Sequence, residues 1–522
     1  MAIPMGGVLP DTWTETHLAA CLAARWDGEG PIVLGNRQPF RHDRDARGNI
    51  TVSHSASGVV NAVEPILRAC GGVWVGHGAG SADREAVVWR DGLDVPPVEP
   101  RYRLRRVWLD PDEEQGYYGG FANQALWPLC HRVRVQPVFR AADFRAYASA
   151  NRRFADAVCD EAASDAPLVL VQDYHFALAP DMIRARMPRA TIVTFWHIPW
   201  PEWQTLGACP WARELLEGLL GSNIIGFQTT VDGHNFIEGA RQILGAWVDD
   251  RDRAIRHGGR RIRVRAYPVS VVWDESSHAD ESQAAAWRED VRREVTIAPD
   301  VRLGVGVDRL DYTKGIEEKL LAIESLLERH PEHRQRFTFV QLAEPTREGV
   351  AVYQAVHRSV MRAAERVNRR FGTASYRPVI VLEGHHPPDR VHRFLRAADL
   401  CYVGSLHDGM NLVSKEFVRA RADERGVLVL SAFAGAAREL TDALVVNPLD
   451  TAGAARALAA ALTMPEDEQR RRMRRMRAVV AHANAHRWAA TILTEAAAAR
   501  QHHAVWTPGP VPAGSAFAAS GR

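Results

Sequence analysis

Short apolar runs alternate with helix-like segments along almost the whole 522-residue chain. Near-continuous Val, Ile and Leu strands separated by helices are typical of parallel sheets that are covered on both faces. The candidate strands form two sets, residues 31–36, 73–78, 168–173, 191–197 and 223–228, followed by residues 302–307, 337–342, 379–384, 400–405, 426–431 and 443–448. We therefore predict an α/β chain with two doubly wound, Rossmann-like parallel sheets.

The order of these runs predicts the domain organisation. Residues 1–30 precede the first strand and form an N-terminal extension. The stretch YPVSVVWDES separates the two sets, so we predict an N-terminal lobe over residues 31–271 and a C-terminal lobe over residues 272–484. A helix at about residues 485–503 is expected to pack back on the N-terminal lobe. Residues 504–522 are rich in Pro, Gly, Ala and Ser and are predicted to be disordered.

The overall composition argues against several kinds of partner. The 65 basic and 63 acidic residues give a net charge of +2, which is no general reason to bind nucleic acid or a membrane. The six cysteines include no CxxC pair, so we expect free thiols in a reducing compartment. No apolar run approaches the ~20 residues of a spanning helix. We expect a cytoplasmic protein with small-molecule substrates, and homo-oligomer formation is left open.

The first strand of the second set is followed immediately by several charged residues. The stretch GVGVDRLDYTKGI (residues 304–316) places Arg309 and Lys314 directly after that strand. Ligands of open α/β sheets bind outside the carboxyl ends of the strands. An Arg fork and a mobile Lys charge together suit a diphosphate. The alternative, for this stretch alone, is a turn with solvated charges.

A second strand-end stretch is SLHDGMNLVSKEF, residues 405–417. It predicts a turn at Asp408 and then a helix, whose N-terminus is a ready site for phosphate. The backbone amides that would lie there are those of Met410, Asn411 and Leu412. Glu416 would follow about two helical turns after Asp408 on the same side, where a carboxylate can bind both hydroxyls of a ribose. The alternative is an Asp N-cap followed by a surface Glu.

Polar residues also follow two strands of the first set. Asp173 lies in VQDYHFALAP and His197 in FWHIPWP, so we expect both to face the same crevice. A carboxylate can bind sugar hydroxyls, and a neutral His can donate to one. A lone His at a strand end is more often structural, but two such polar residues favour a site.

Further candidates are dispersed along the chain. Arg37 and Arg347 each follow a strand, and Tyr118 lies in a predicted Gly-rich loop. Two Arg and a Tyr suit a second phosphate, away from the diphosphate. Taken singly, each residue is more often structural, and Trp127 by itself is typical of a core.

Two Arg-rich stretches have simpler interpretations. HGGRRIRVRAYPV alternates Arg with apolar residues, which predicts an exposed hairpin strand. EQRRRMRRMRAVV predicts a helix with Met473, Met476 and Val480 on one face and solvated arginines. Neither stretch has interleaved aromatics, so we do not expect either to bind nucleic acid.

Several of these stretches, taken in order, resemble motifs of the trehalose-6-phosphate synthases, the retaining glycosyltransferases of family 20. The matching segments are YYGGFANQALWPLCH, VQDYHFALAP, FWHIPWP, GFQT, GVDRLDYTKG, HDGMNLVSKEFV and FAGAARELTDALVVNP. The likeness covers roughly residues 31–500. It implies the GT-B fold, in which two Rossmann-like lobes enclose the active site between them.

The resemblance implies donor-side roles for the candidate residues. Arg309 and Lys314 would hold the diphosphate of a nucleotide sugar, and Asp408 with the amides after it would hold the donor sugar and phosphate. His197 would contact the donor sugar, so the implied catalytic residues are Arg309, Lys314, Asp408 and His197. The remaining donor contacts implied are Gly58 at the diphosphate, Met410 and Asn411 through their amides, Leu412 and Val413 at the nucleoside, and Glu416 at the ribose.

The resemblance also implies an acceptor site and a reaction. Arg37, Tyr118 and Arg347 would bind the phosphate of glucose 6-phosphate, and Trp127 and Asp173 its sugar ring. Glucose would pass from a nucleoside diphosphate, UDP above all, to the anomeric hydroxyl of glucose 6-phosphate with retained configuration.

The mechanism implied by the resemblance has no obvious carboxylate nucleophile of the kind that glycosidases use. A leaving phosphate oxygen would take the acceptor proton on the front face, and catalysis would rest on positioning and charge stabilisation. Arg309 and Lys314 would replace the metal that other glycosyltransferases use. We therefore expect neither a metal nor any other cofactor.

The chain departs from the family pattern at a few positions. Ser57 stands where many members have a second glycine, and Trp200 where Phe is usual. GHHPPDR, at residues 384–390, lies near the expected base pocket and leaves the choice of nucleoside open.

Three alternatives share the fold. A sister enzyme would use glycerol 3-phosphate as acceptor and make glucosylglycerol phosphate, and a less favoured relative would join cyclitols through nitrogen. A non-catalytic sugar-phosphate sensor would be expected to lack at least one of four residues. All four are present, namely Arg309, Lys314, Asp408 and Glu416.

Overall fold

The computed structural model describes residues 12–26, 28–55, 58–274, 281–347 and 349–503. The predicted disorder of the C-terminal tail and the departure at Ser57 lie outside these residues.

The strands alternate with helices, as the sequence predicts. The strands are β1 (Ile32–Leu34), β2 (Phe40–Arg44), β3 (Ile50–His54), β4 (Val73–His77), β5 (Gly92–Val95), β6 (Tyr102–Val107), β7 (Leu168–Gln172), β8 (Thr191–Trp196), β9 (Ile224–Phe227), β10 (Trp247–Asp249), β11 (Ala254–His257), β12 (Arg260–Ala266), β13 (Arg302–Arg309), β14 (Phe337–Glu344), β15 (Val379–Glu383), β16 (Leu400–Val403), β17 (Val427–Ser431) and β18 (Leu444–Val446).

The α-helices cover the faces of the sheets. They are α1 (Glu15–Trp26), α2 (Gly58–Cys70), α3 (Asp83–Ala86), α4 (Pro111–Glu114), α5 (Trp127–His131), α6 (Ala141–Asp160), α7 (Ala179–Arg186), α8 (Trp203–Leu206), α9 (Ala212–Leu219), α10 (Thr230–Leu244), α11 (Glu281–Glu294), α12 (Ile316–Arg329), α13 (Ala351–Phe371), α14 (Pro388–Ala397), α15 (Leu412–Ala420), α16 (Thr451–Thr463), α17 (Glu466–His482) and α18 (Ala485–His503). No helix in the described ranges is both long and apolar enough to cross a bilayer.

The larger sheet has ten strands in the order β10-β11-β12-β9-β8-β7-β1-β4-β6-β5. Its central strands, from β12 to β6, are parallel, and antiparallel strands lie at both edges. The smaller sheet has six parallel strands in the order β15-β14-β13-β16-β17-β18. In each sheet, successive strands of the chain are added first on one side of the first parallel strand and then on its other side. This change of direction lies beside β1 in the larger sheet and beside β13 in the smaller sheet. These are the two doubly wound sheets that the sequence predicts.

Every predicted strand run coincides with a strand, but several strands lack the apolar signal. The hairpin β2–β3 and the strand β6, with the sequence YRLRRV, are too polar to stand out as buried strands. The Arg-rich strand β12 was predicted to be exposed. It does form a hairpin with β11, but the predicted exposure is wrong, because β12 also pairs with β9 inside the larger sheet and buries Ile262 and Val264.

The predicted Gly-rich loop around Tyr118 is also wrong, because residues Gln115–Leu126 form a π-helical segment between α4 and α5. The glycines permit close packing rather than a loop. A Cβ on Gly116 would lie 2.6 Å from the Cβ of Ala146, and one on Gly120 would lie 2.5 Å from the side chain of Asp143. The segment therefore lies directly against α6.

The terminal helices join the N-terminal part of the chain to the C-terminal part. The apolar face of α1 includes the buried residues Leu18 and Leu22, and α1 packs against α2 and α18. Trp488 of α18 donates from Nε1 to the carbonyl oxygen of Tyr267 over 3.1 Å and packs edge-on against Phe195. The predicted helix face in α17 is buried as expected, at Met473, Met476 and Val480.

Candidate active site

The reversal points of the two sheets face one another across a cavity of about 740 Å³. Ligands of doubly wound folds bind at such points, outside the carboxyl ends of the strands. All the residues proposed from the sequence line this cavity: Arg37, Gly58, Tyr118, Trp127, Asp173, His197, Arg309, Lys314, Arg347, Asp408, Met410, Asn411, Leu412, Val413 and Glu416. Residues that are far apart in the chain are thus brought to one place.

Lys314 is held by the turn that follows β13. The carboxylate of Asp311 accepts from the amide of Thr313 over 3.0 Å and caps a short 3₁₀ turn, Tyr312–Lys314. Gly315 then has φ +60°, and a Cβ there would lie 2.2 Å from the carbonyl oxygen of Gly404. Only glycine combines this conformation with so close an approach. The turn directs the ammonium group of Lys314 toward the end of β16.

The partner of Lys314 at that strand end is Asp408. Lys314 Nζ donates to Asp408 Oδ2 over 2.5 Å, and Ser405 and Asn411 each donate to the same oxygen over 3.2 Å. Burial alone would raise the pKa of the Asp408 carboxyl, but Lys314 and these hydrogen bonds outweigh it and lower the pKa to about 2. Asp408 therefore remains ionised under ordinary conditions.

Helix α15 begins later than the sequence suggests. Asn411 is its N-cap, because its side chain accepts from the amide of Ser414 over 3.0 Å. The alternative that Asp408 caps the helix is wrong, and Glu416 lies in the second turn of α15 rather than two turns after Asp408. The amides of Met410 and Asn411 donate no hydrogen bond within the described part of the chain. They remain free for an anion at the helix N-terminus.

The two lobes meet closely where α2 faces α15. A Cβ on Gly58, the first residue of α2, would lie 3.4 Å from Leu412 Cδ1 of α15. Glu416 lies about one turn after Leu412 on α15 and also lines the cavity. Burial raises the pKa of the Glu416 carboxyl, and the nearby Arg419 offsets this only in part. A bound group with hydroxyls to donate would favour its ionised form.

On the opposite side, guanidinium groups approach Trp127. The guanidinium carbon of Arg347 lies 4.4 Å from the ring centroid of Trp127, and that of Arg309 lies 5.6 Å from it. Arg347 also donates to the carboxylate of Asp311 over 3.2 Å and to the hydroxyl of Tyr174 over 3.4 Å. Trp127 is also part of a hydrophobic core, as its sequence context suggested. Its ring thus packs in the core and lines the cavity as well.

Tyr118 lies among the same cations. Burial raises the pKa of its phenol, but Arg347, Arg37 and Arg309 outweigh burial and leave the pKa below the ordinary value. Three positive charges around one end of the cavity make it a suitable site for a phosphate.

Asp173 occupies an unusual backbone conformation, with φ +73°. Its Oδ1 accepts from the backbone amide of His197 over 3.1 Å, which ties the end of β7 to the end of β8. Burial raises the pKa of the Asp173 carboxyl to about 7, although the amides and Arg309 and Arg347 oppose this. The group can therefore change charge near neutral pH. Non-glycine residues with such φ values are found preferentially at functional sites.

The hydrogen bonding of His197 differs from what the sequence suggested. Its Nε2 lies 2.9 Å from Gln172 Oε1, so Nε2 carries the proton and donates to that amide oxygen. Burial lowers the pKa of His197 to about 3, which keeps the ring neutral. Nδ1 is then an acceptor. The side chain would accept from a sugar hydroxyl rather than donate to it.

The cavity residues that sequence reasoning missed include His131, Gln172 and His175. All three lie inside motif stretches that were singled out for their neighbours. His131 joins the lobes, because its carbonyl oxygen accepts from His407 Nδ1 over 2.5 Å. Nothing in their local sequence distinguishes them from structural residues, since their roles depend on tertiary neighbours.

A buried ion pair lies next to the segment that follows β1 and contains Arg37. Arg106 Nη2 lies 2.9 Å from Asp83 Oδ1, and both side chains are fully buried. Gln38, the residue after Arg37, donates to Asp83 and accepts from Arg106 Nε over 2.9 Å. This network fixes the backbone next to Arg37.

Among the described residues, no group of three or more His, Cys, Asp or Glu could hold a metal ion.

Comparison with known proteins identifies close relatives. The model of glycosyltransferase family 20 matches residues 29–498. A trehalose-6-phosphate synthase of Mycobacterium marinum is 38% identical over 480 residues, which covers 90% of this chain and 94% of the relative.

Solved structures are also similar. A structure from E. coli bound with UDP-2-fluoro glucose has a TM-score of 0.77 and 28% identity, and the match covers 90% of this chain and 99% of that one. An α,α-trehalose-phosphate synthase (UDP-forming) from Burkholderia xenovorans in complex with glucose-6-phosphate has a TM-score of 0.76 and 31% identity, with 90% and 99% covered.

Proposed function

Because this chain belongs to glycosyltransferase family 20, we propose that it is a UDP-forming trehalose-6-phosphate synthase. It transfers glucose from a nucleoside diphosphate, UDP above all, to the anomeric hydroxyl of glucose 6-phosphate and retains the configuration. The observation that carries this proposal is that every residue proposed from the sequence lines one cavity between the two sheets. The relatives reported above give no support to a glycerol 3-phosphate acceptor.

The donor is assigned to the side of the cavity formed by β13, β16 and α15. Arg309 and Lys314 bind the diphosphate, with Gly58 beside it. The free amides of Met410 and Asn411 supply neutral donors to the phosphate. The nucleoside contacts are Leu412 and Val413 along one face and Glu416 at the ribose. The E. coli structure with a bound UDP-glucose analogue supports a donor of this class.

The acceptor is assigned to the opposite side. Arg37, Tyr118 and Arg347 bind the phosphate, because all three line the cavity and the two arginines supply positive charge beside the Tyr118 hydroxyl. Trp127 and Asp173 bind the sugar ring, and His197 accepts a hydrogen bond from the donor sugar. The Burkholderia complex with glucose-6-phosphate supports a phosphorylated hexose as acceptor.

The chemistry rests on charge and position. The bond from C1 to the diphosphate oxygen breaks while C1 bonds to the acceptor oxygen on the same face. The proton of the acceptor hydroxyl moves to the leaving diphosphate oxygen. Negative charge grows on that diphosphate, and Arg309 and Lys314 stabilise it where it develops. Asp408, ionised beside Lys314, binds hydroxyls of the donor sugar and fixes its orientation.

We further propose that the reaction needs no metal and no cofactor beyond its substrates, since two cations already balance the diphosphate. We propose a cytoplasmic location, in keeping with the six free thiols. Nucleic acid and membrane partners are not expected, and homo-oligomer formation is left open.

The test is UDP release by the purified protein with UDP-glucose in EDTA, supplied with glucose 6-phosphate, glycerol 3-phosphate or no acceptor. The proposal expects release with glucose 6-phosphate alone. Release with glycerol 3-phosphate alone would move the function to the sister enzyme. Release that requires an added divalent cation would contradict metal independence and leave the acceptor assignment intact.

A further inference from the structure

We infer that His175 binds the phosphate of the acceptor through a ring N–H, as a partner to Arg37 and Arg347. This inference rests on the proposed function, since it deepens the acceptor site proposed above. His175 lies in the 3₁₀ turn Tyr174–Phe176 that directly follows β7, and its side chain lines the cavity. His175 lies within the stretch VQDYHFALAP, but none of the roles proposed above uses it.

The imidazole is held between two tyrosines. Its ring is nearly parallel to that of Tyr118, at 5.7 Å between centroids and 8° between planes. The ring of Tyr174 packs on it at 4.1 Å between centroids. The position and plane of the imidazole are therefore fixed by packing, as a pre-organised ligand contact requires.

Both ring nitrogens of His175 are buried, and neither has a hydrogen-bond partner within the described part of the chain. A buried polar group without a partner is unfavourable, and such groups are rare in native structures. A phenylalanine would fill the same space between the tyrosines at no such cost. The unpartnered nitrogens therefore indicate a partner that the polypeptide does not supply, and the side chain faces the cavity where substrates bind.

The charges around His175 identify the kind of partner. Arg347 donates to the hydroxyl of Tyr174 over 3.4 Å, and both Arg347 and Arg37 act electrostatically on His175. His175 thus lies near both guanidinium groups. An anion bound by both arginines would lie within reach of a ring N–H. A dianionic phosphate at this place fits better than a hydroxyl, because hydrogen bonds to charged groups are the stronger ones.

The imidazole itself contributes no positive charge. Burial lowers the pKa of His175 well below its ordinary value, and the cations Arg347 and Arg37 lower it further. The neutral ring has one N–H donor and one acceptor nitrogen. One nitrogen can donate to a phosphate oxygen while the other accepts from a sugar hydroxyl or water. A neutral donor adds a directional contact without crowding a third cation between the arginines.

The test is equilibrium binding by calorimetry, without donor, of glucose 6-phosphate and of inorganic phosphate. His175→Phe keeps an aromatic ring between the tyrosines, and His175→Asn restores a donor. We expect His175→Phe to weaken binding of both ligands about tenfold or more, which corresponds to about 1.4 kcal/mol, and His175→Asn to recover part of the loss. His357→Phe, at an exposed position on α13, is the matched control and should bind like the parent protein.

The possible results distinguish a failure of this inference from a failure of the proposed function. Unchanged phosphate binding in His175→Phe would overturn the inference. Weaker binding of glucose 6-phosphate with unchanged binding of inorganic phosphate would also overturn it, because the contact would then be to the sugar. Unchanged binding of UDP confirms that each variant is folded. A parent protein that binds glucose 6-phosphate but releases no UDP with it would count against the proposed function alone.

Discussion

Lys314 Nζ lies 2.5 Å from Asp408 Oδ2, and the two residues follow the neighbouring strands β13 and β16. This ion pair therefore spans the point at which the strand order of the smaller sheet reverses. Both side chains are mostly buried, so their interaction is only weakly screened by solvent. The pair places one cation and one carboxylate, which we propose binds sugar hydroxyls, where a nucleotide sugar is proposed to react.

Lys314→Ala is expected to lower kcat on the order of a hundredfold or more, because it removes charge stabilisation of the leaving diphosphate. Steady-state UDP release measures this. Lys314→Arg, which keeps the charge, should retain more activity. Arg302→Ala is the matched control, since Arg302 begins the same strand but is exposed at its opposite end. Turnover near that of the parent protein in Lys314→Ala would contradict the proposed clamp.

Arg347→Ala is expected chiefly to raise KM for glucose 6-phosphate, by about tenfold to a hundredfold, because a hydrogen bond to a charged group contributes roughly 1.5–3 kcal/mol. The KM for UDP-glucose should change little. Kinetics with each substrate varied in turn measure both values. Arg370→Ala, on the exposed face of α13, is the control. If Arg347→Ala weakened only donor binding, the assignment of the two phosphate sites would be reversed.

Asp173 is expected to give the reaction a pH dependence near neutrality. Its pKa of about 7 means that the ionised carboxylate, which we propose binds sugar hydroxyls, forms only as the pH rises. The ratio kcat/KM for glucose 6-phosphate should therefore rise with pH through this region. Asp173→Asn should be less active and should lack that dependence. The second ionisation of the acceptor phosphate, with a pKa of about 6, affects both proteins equally.

The Asp173 carboxyl should also make the free energy of unfolding decrease as the pH rises. Its pKa in the unfolded chain is about 3.9, and the raised pKa in the folded protein means that the native state binds more protons between the two values. The contribution of Asp173 to the free energy of unfolding is therefore fully present below about pH 4 and is lost as pH rises through about 7. Urea unfolding of the ligand-free protein at pH 5 and pH 8 should show a smaller decrease for Asp173→Asn. An equal decrease in both proteins would contradict the raised pKa.

Arg106→Leu is expected to destabilise the fold by about 3–5 kcal/mol, because it leaves the buried Asp83 carboxylate without its partner. It should also raise KM for glucose 6-phosphate, since the network includes Gln38 beside Arg37. Urea unfolding and acceptor kinetics measure the two effects. Arg186→Ala, which removes an exposed ion pair with Asp156, should cost at most about 1 kcal/mol. A similar small cost for Arg106→Leu would contradict a structural role for the buried pair.

The apolar strands could be predicted because burial on both faces leaves a strong sequence signal. That signal is absent from β6, where arginines alternate with apolar residues, and from the hairpin β2–β3, which forms a separate two-stranded sheet. The segment around Tyr118 was predicted as a loop because glycines disfavour helices. There they permit close packing against α6, which only the tertiary structure reveals.

The candidate site could be predicted where residues directly follow strands, since the fold brings strand ends together. Residues that act through neighbours could not be found in this way. Gln172 fixes the proton on His197, and its position at the end of β7 gives no sign of that role. The N-cap at Asn411 depends on where α15 begins, which differs by a few residues from the sequence pattern.

The central claim is tested most directly by UDP release from UDP-glucose in EDTA with each acceptor in turn. The account predicts release that depends on glucose 6-phosphate, is absent without an acceptor and is lost on the order of a hundredfold in Lys314→Ala. Release with glycerol 3-phosphate but not with glucose 6-phosphate would contradict it.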